Sequence, residues 1–257
     1  MDGGISRMEG QPTRAVIGSV IFSEWRQFGK FLLFPALPDR ATIRPSAAIR
    51  SLLSLYLLDM LLMAVLIGGM AAAKASGVKM PEHLLSEMTL GPALLGFIVI
   101  LAPIGEETIF RSWLSGRAGH WLALLVLATG AGLTVALAPK GVGSAALPVT
   151  LGIPLLTAVA MAAVLWRMRG RPALRWFQRH FRWFYYFSAL AFAAIHLMNF
   201  VGADTLYLMP LVLPQLTLGL LLGYLRVNRG LWASVLMHAL HNALFISLVL
   251  FGGGVGA

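Results

Sequence analysis

"ALLGFIVILAPIGEETIFR", residues 93 to 111, runs apolar for nine residues and then sets two adjacent carboxylates and an arginine on the same segment. A charge near the bilayer centre costs about 2.5–3.5 kcal/mol on insertion scales, so an ionisable group inside a span marks a functional site by default. At the end of a span the same charges cost little. Which case holds for Glu106, Glu107 and Arg111 depends on how the rest of the chain is laid out.

Composition places the whole chain in lipid. Of 257 residues, 58% are hydrophobic and 12% charged, with mean hydropathy +0.80, the balance of a polytopic membrane protein. The fold class this predicts is all-α: a transmembrane helix bundle of about seven spans plus interfacial helices. Approximate limits are 50–73, 91–114, 120–138, 147–166, 184–203, 207–225 and 231–251, each about 20 residues and long enough for a ~30 Å hydrocarbon core. Cysteine is absent, which excludes disulfides, thiol nucleophiles and thiolate metal sites and leaves His, Asp and Glu to carry chemistry.

The formal charge of +10 is a topological signal. Seventeen of the twenty Lys and Arg residues fall before the first span, around Arg111 and Arg117, in the fourth connection (Arg167 to Arg182), or at Arg226 and Arg229. Only Lys74, Lys79 and Lys140 fall on the other side. The bias predicts a cytoplasmic N-terminus, an outside C-terminus and contact with anionic lipid, with no nucleic-acid role. The location expected is an integral membrane position, in a prokaryotic inner or plasma membrane.

The first residues lack an early apolar core and a small-residue cleavage site, so no cleaved signal peptide is expected. Residues 17–37 mix Phe, Trp and Ile with Glu24, Arg26 and Lys30, the pattern of an interfacial helix, with an eighth span as the alternative. Residues 1–45 are therefore read as a cytoplasmic N-terminal segment with that amphipathic helix, and 46–257 as one membrane domain. "RMRGRPALRWFQRHFRW", residues 167–183, is expected to be a second interfacial helix.

Few ionisable groups lie deep in the expected spans: Asp59, Glu106, Glu107, Arg111, His196, His238 and His241. Glu107 and Arg111 are four apart and can pair on one helix face, while Glu106 is rotated about 100° away with no local cation. Glu106 is either a general acid or base, or simply part of a charged helix end. His238 and Asn242 share a face about 12 Å into the last span, as a site pair or as packing glue. His241 stands beside both, in support or in plain packing. His196, one turn after Phe192, is a packing residue or a catalyst, and counted from Trp183 it lies deeper than Glu106. Asp59 is expected to hydrogen-bond inside the bundle, and "GLLLG" (Gly219 to Gly223) to form a small face for close helix packing.

"EETIFR" (Glu106 to Arg111), "FAAIH" (Phe192 to His196) and "HALHN" (His238 to Asn242) resemble, in order, the EExxxR, FxxxH and HxxxN motifs of the CPBP intramembrane protease family. That family includes CAAX prenyl endopeptidases and relatives linked to bacteriocin processing, and the resemblance covers about residues 90 to 250. A serine follows Arg111 where many members have glycine.

The resemblance implies an intramembrane endopeptidase that cuts a membrane-associated protein or peptide. It implies that Glu106 and His196 activate water, that His238 and Asn242 hold the oxyanion, and that Glu107 and Arg111 support the site, without a cofactor. A zinc enzyme using Glu106, His196 and His238 is the nearest alternative. A proton-coupled carrier is another, since intramembrane Glu, His and Arg with Pro210 and Pro214 in one span suit it. An inactive binding or immunity protein on the same scaffold is the third.

Overall fold

Proline stands in the first turn of several helices, because its missing N–H falls where the first turn has no acceptor to satisfy. The computed structural model describes residues 13–39, 41, 44–84, 88–138, 148–201 and 209–251. Helix α1 spans Thr13–Leu33 and α2 Pro45–Ala75, with proline opening α2. A membrane-length helical segment, Pro92–Ser115, is divided into α3 (Pro92–Gly96), a π-helical turn (Phe97–Leu101), α4 (Ala102–Arg111) and a 3-10 turn (Ser112–Ser115). Then come α5 (Ala118–Ala136), α6 (Ile153–Met168), the five-residue α7 (Arg175–Arg179) and α8 (Phe181–Ile195). A 3-10 turn, His196–Asn199, continues α8, and α9 (Leu213–Arg229) and α10 (Leu231–Phe251) close the bundle.

Six helical segments, rather than seven, are long and apolar enough to cross a membrane among the described residues. The chain is an all-helical integral membrane protein apart from one small sheet. The expected span at 184–203 is the one that drops out. Its helix, α8, has 15 residues and carries two tyrosines, Ser188 and then His196, polarity that suits a helix lined by protein. Phe181, Tyr185, Ser188, Ala189, Phe192 and Ala193 of α8 are indeed buried. Helix α1 is likewise outside the six, and no eighth span is found there.

The helix expected over 167–183 is shorter in the structure. Helix α6 runs to Met168, the chain turns through Gly170 and Pro172, and only Arg175–Arg179 forms a separate helix before α8 begins. Its apolar anchor, Phe177, is fully buried and stacks on Phe184 at 4.3 Å. This segment is folded onto the bundle.

Helix α9 is the most enclosed of the six and packs on α8, α10 and α2. Its small face works as expected. A Cβ on Gly223 would fall 2.8 Å from the Tyr185 ring, and one on Gly219 3.4 Å from the Ala189 Cα. Glycine lets the two backbones approach, and Leu218, Leu221, Leu222 and Leu225 fill the core around them.

Basic residues gather at one end of the bundle. Arg229 reaches Ser51 (2.7 Å) and Glu24 (3.6 Å), Arg226 reaches the carbonyls of Arg111 (3.0 Å) and Ser112 (2.7 Å), and Arg117 bonds the carbonyl of Arg169 (3.3 Å). Lys74 lies at the far end of α2, while Lys140 and the C-terminal "GGGVGA" lie outside the described residues. Glu82–His83 pairs antiparallel with Phe200–Val201, a two-residue ladder just beyond the 3-10 turn that bears His196. Burial pushes the His83 imidazole below its ordinary range.

Candidate active site

Three helices bring the charged residues to one place. Glu107, fully buried on α4, accepts from Arg111 Nη1 at 2.6 Å and from His238 Nδ1 at 3.0 Å through Oε1, and from the Ser234 hydroxyl through Oε2. The pairing of Glu107 with Arg111 one turn away is as the spacing predicts. Arg111 is itself fully buried, and its guanidinium carbon lies 3.8 Å from the Phe192 ring centroid. An imidazole and a hydroxyl satisfy the carboxylate of this buried ion pair, while the guanidinium rests on the Phe192 face with its Nε and Nη2 lacking a hydrogen-bond partner among the described residues.

Glu106 points the other way, toward two imidazoles. Its Oε2 is 4.0 Å from His196 Nε2 and 3.8 Å from His238 Nε2. That oxygen is buried without a hydrogen-bond partner among the described residues. Both gaps are too long for a direct hydrogen bond.

The second ring nitrogen of each imidazole is committed. His196 Nδ1 lies 2.7 Å from the Phe192 carbonyl, which can only accept, so Nδ1 carries the hydrogen and Nε2 faces Glu106. His238 Nδ1 is fixed in the same way by the Glu107 carboxylate. Phe192 organises all of this: its buried ring lies 4.6 Å from that of His196 and 5.6 Å from that of His238, while its other contacts hold Arg111.

The depth difference between Glu106 and His196 is closed by side-chain direction. Cα–Cβ bonds tilt toward a helix's N-terminus. Helix α4 ends, and α8 begins, at the arginine-rich end, where the Leu174 N–H bonds the Gly116 carbonyl at 2.9 Å. The two helices thus run in opposite senses, and Glu106 and His196 lean toward each other. Midway along them the Ser188 hydroxyl donates to the Phe110 carbonyl at 2.7 Å and fixes their register.

Asn242 sits one turn from His238 but is already engaged, its Nδ2 donating to the Ile98 carbonyl at 2.9 Å. His241 turns away from the cluster and meets the fully buried Asp59, Nδ1 to Oδ2, at 2.6 Å. Asp59 is therefore hydrogen-bonded inside the bundle, as expected, and His241 is its partner. The set Glu106, His196 and His238 converges, but no group of three His, Asp or Glu side chains among the described residues has the geometry to hold a metal ion.

Two contributors escape a motif search. Ser234 lies one turn before His238, so Ser234, His238 and Asn242 form a single i, i+4 row that the spacing alone makes visible. Arg226, counted in the sequence only as a loop charge, is buried and caps the last carbonyls of α4.

A partly exposed acid, two imidazoles and a buried ion pair thus meet where α4, α8 and α10 converge. The model of the family described as "Type II CAAX prenyl endopeptidase Rce1-like" matches residues 89–244, and the chain belongs to that family. No curated protein and no solved structure matches it. Membership makes the chain a protease in class, which leaves the carrier reading without support.

Proposed function

We propose that the protein is an intramembrane endopeptidase in which water, held between Glu106 and the two imidazoles, attacks the scissile carbonyl of a membrane-associated protein or peptide. The observation that carries this reading is the buried Oε2 of Glu106, flanked at 3.8 and 4.0 Å by the Nε2 atoms of His238 and His196. Glu106 takes the proton of the attacking water, and His196 orients that water through Nε2. The water oxygen bonds the carbonyl carbon, and the negative charge moves to the former carbonyl oxygen. His238, its ring oriented at Nδ1 by the Glu107 carboxylate, donates from Nε2 to that oxyanion when both ring nitrogens carry hydrogen. Asn242 adds the amide hydrogen not used by Ile98. As the C–N bond breaks, Glu106 returns its proton to the departing amine, so no acyl-enzyme forms.

A metal-free reaction is the form we favour. Tetrahedral zinc would draw its donors to roughly 3.3 Å from one another, given bond lengths near 2.0–2.1 Å, closer than Glu106 stands to either imidazole. The arginine-rich end is read as cytoplasmic, following the usual excess of Lys and Arg on that side.

The test compares membrane-protein termini by mass spectrometry in cells carrying the unaltered protein or Glu106→Gln. New termini that vanish with the variant, while it stays folded in detergent, support the reading. Termini that persist with a folded Glu106→Gln protein refute it, and their absence from both samples would favour the inactive scaffold. Activity that survives a membrane-permeant chelator supports the metal-free form.

A further inference from the structure

Away from Glu106, at the arginine-rich end, a cavity of about 610 Å³ is lined by Arg117, Arg169, Arg171, Arg175, Asp39 and Gln178. Four arginines and one carboxylate share that lining, and Gln178 Nε2 donates to Asp39 Oδ1 at 3.2 Å. Among the described residues, none of the four arginines lies within salt-bridge distance of a carboxylate. Four arginines against a single carboxylate leave this concave site with an excess of positive charge, which selects an anion.

The walls are held in place by the backbone. Arg117 and Ala173 form an isolated bridge, the Leu174 N–H bonds the Gly116 carbonyl at 2.9 Å, and Arg117 Nη1 reaches the Arg169 carbonyl at 3.3 Å. Gly116 takes φ +66°, and a Cβ there would fall 2.8 Å from Phe177 and 2.9 Å from Leu37, so the turn admits no larger residue without displacement.

Position narrows the anion's source. Arg117 immediately precedes α5 and Arg169 immediately follows α6, both of them membrane-length segments, so the cavity lies where two spans leave the hydrocarbon. Trp166 and Trp176 flank it, 66% and 53% exposed, as amphipathic rings do at the headgroup level. Phosphates of the bilayer surface stand at that level, and the planar guanidinium fork matches their oxygens.

We propose that this cavity is a binding site for the phosphate of an anionic phospholipid headgroup, which ties the α5–α6 pair and the α7 segment to the membrane surface. The experiment uses the full chain, purified in detergent and stripped of lipid. Dioleoylphosphatidylglycerol, dioleoylphosphatidylcholine and inorganic phosphate are each added, with bound lipid read by native mass spectrometry and thermal melting followed in parallel. The expected result is a retained phosphatidylglycerol adduct and a raised melting temperature, with phosphatidylcholine giving neither. Arg171 and Arg175 are exposed, so R171Q/R175Q should fold, and it should bind phosphatidylglycerol about tenfold or more weakly. R171K/R175K should keep part of the binding. An equal, R171Q/R175Q-sensitive shift with inorganic phosphate alone would keep the phosphate chemistry and assign it to a soluble ligand. Equal binding of the two lipids, or full phosphatidylglycerol binding by R171Q/R175Q, would overturn the proposal. The comparison of the two lipids on the unaltered protein stands even if the variant folds poorly.

Discussion

Asn242 donates its side-chain amide to the Ile98 carbonyl, and Pro103 is the reason that carbonyl is free to accept. In the π-helical turn the Ala102 N–H bonds the Phe97 carbonyl, five residues back. The next donor, at position 103, would serve Ile98, but proline has none. Asn242 supplies the missing hydrogen from another helix and so anchors the turn that leads into Glu106.

This arrangement predicts a double-mutant cycle. Asn242→Ala leaves the part-buried Ile98 carbonyl unpaired and should cost about 1 kcal/mol of stability. In a Pro103→Ala background the chain has its own N–H again, and the loss caused by Asn242→Ala should shrink. If Asn242 also serves the oxyanion, its effect on cleavage will persist in that background. Melting in detergent and cleavage rate, measured on all four proteins, separate the two roles.

Breaking the Arg111–Glu107 pair from one side should be far more damaging. Arg111→Ala leaves the fully buried Glu107 carboxylate with a histidine and a serine but without its cation. Removing one partner of a buried pair costs about 3–5 kcal/mol. The variant should melt well below the unaltered protein, and one that melts alongside it would show that the pair contributes little.

Much of this site was legible in the sequence because helical spacing is geometric. A step of four positions from Glu107 to Arg111, and again from His238 to Asn242, places each pair on one face whatever surrounds them. What spacing cannot give is the partner from another helix. That His238 binds Glu107, that His241 turns to Asp59, and that Asn242 meets a backbone carbonyl all depend on crossings with no local signal. The span count took α8 for a membrane crossing for a related reason: the protein contacts that accommodate its tyrosines and serine leave no local signal.

Close packing makes the glycines of α9 unequal to those elsewhere. Gly223→Ala places a methyl group 2.8 Å from the Tyr185 ring, whose hydroxyl is tied to the Leu220 carbonyl at 2.7 Å and cannot readily give way. Overpacking of this kind costs about 1–3 kcal/mol. Gly68→Ala, in mid-helix with nothing within 4 Å, should instead be neutral or stabilising by about 0.5–1 kcal/mol. Equal melting temperatures for the two variants would contradict the packing described.

The two histidines of the last helix should separate stability from activity. His238 presents Nε2 to Glu106 at 3.8 Å, whereas the Nδ1 of His241 is held by Asp59, on α2 and outside the cluster. His238→Ala should lower cleavage by about a hundredfold or more, the scale of losing one oxyanion donor. His241→Ala strands the buried Asp59 and should lower the melting temperature, with cleavage per folded molecule changed only a few-fold. Asp59→Asn keeps a polar partner for His241 and should fall between His241→Ala and the unaltered protein in stability. A His241→Ala protein that folds as well as the unaltered one yet cleaves as poorly as His238→Ala would place His241 among the reacting groups, against the geometry.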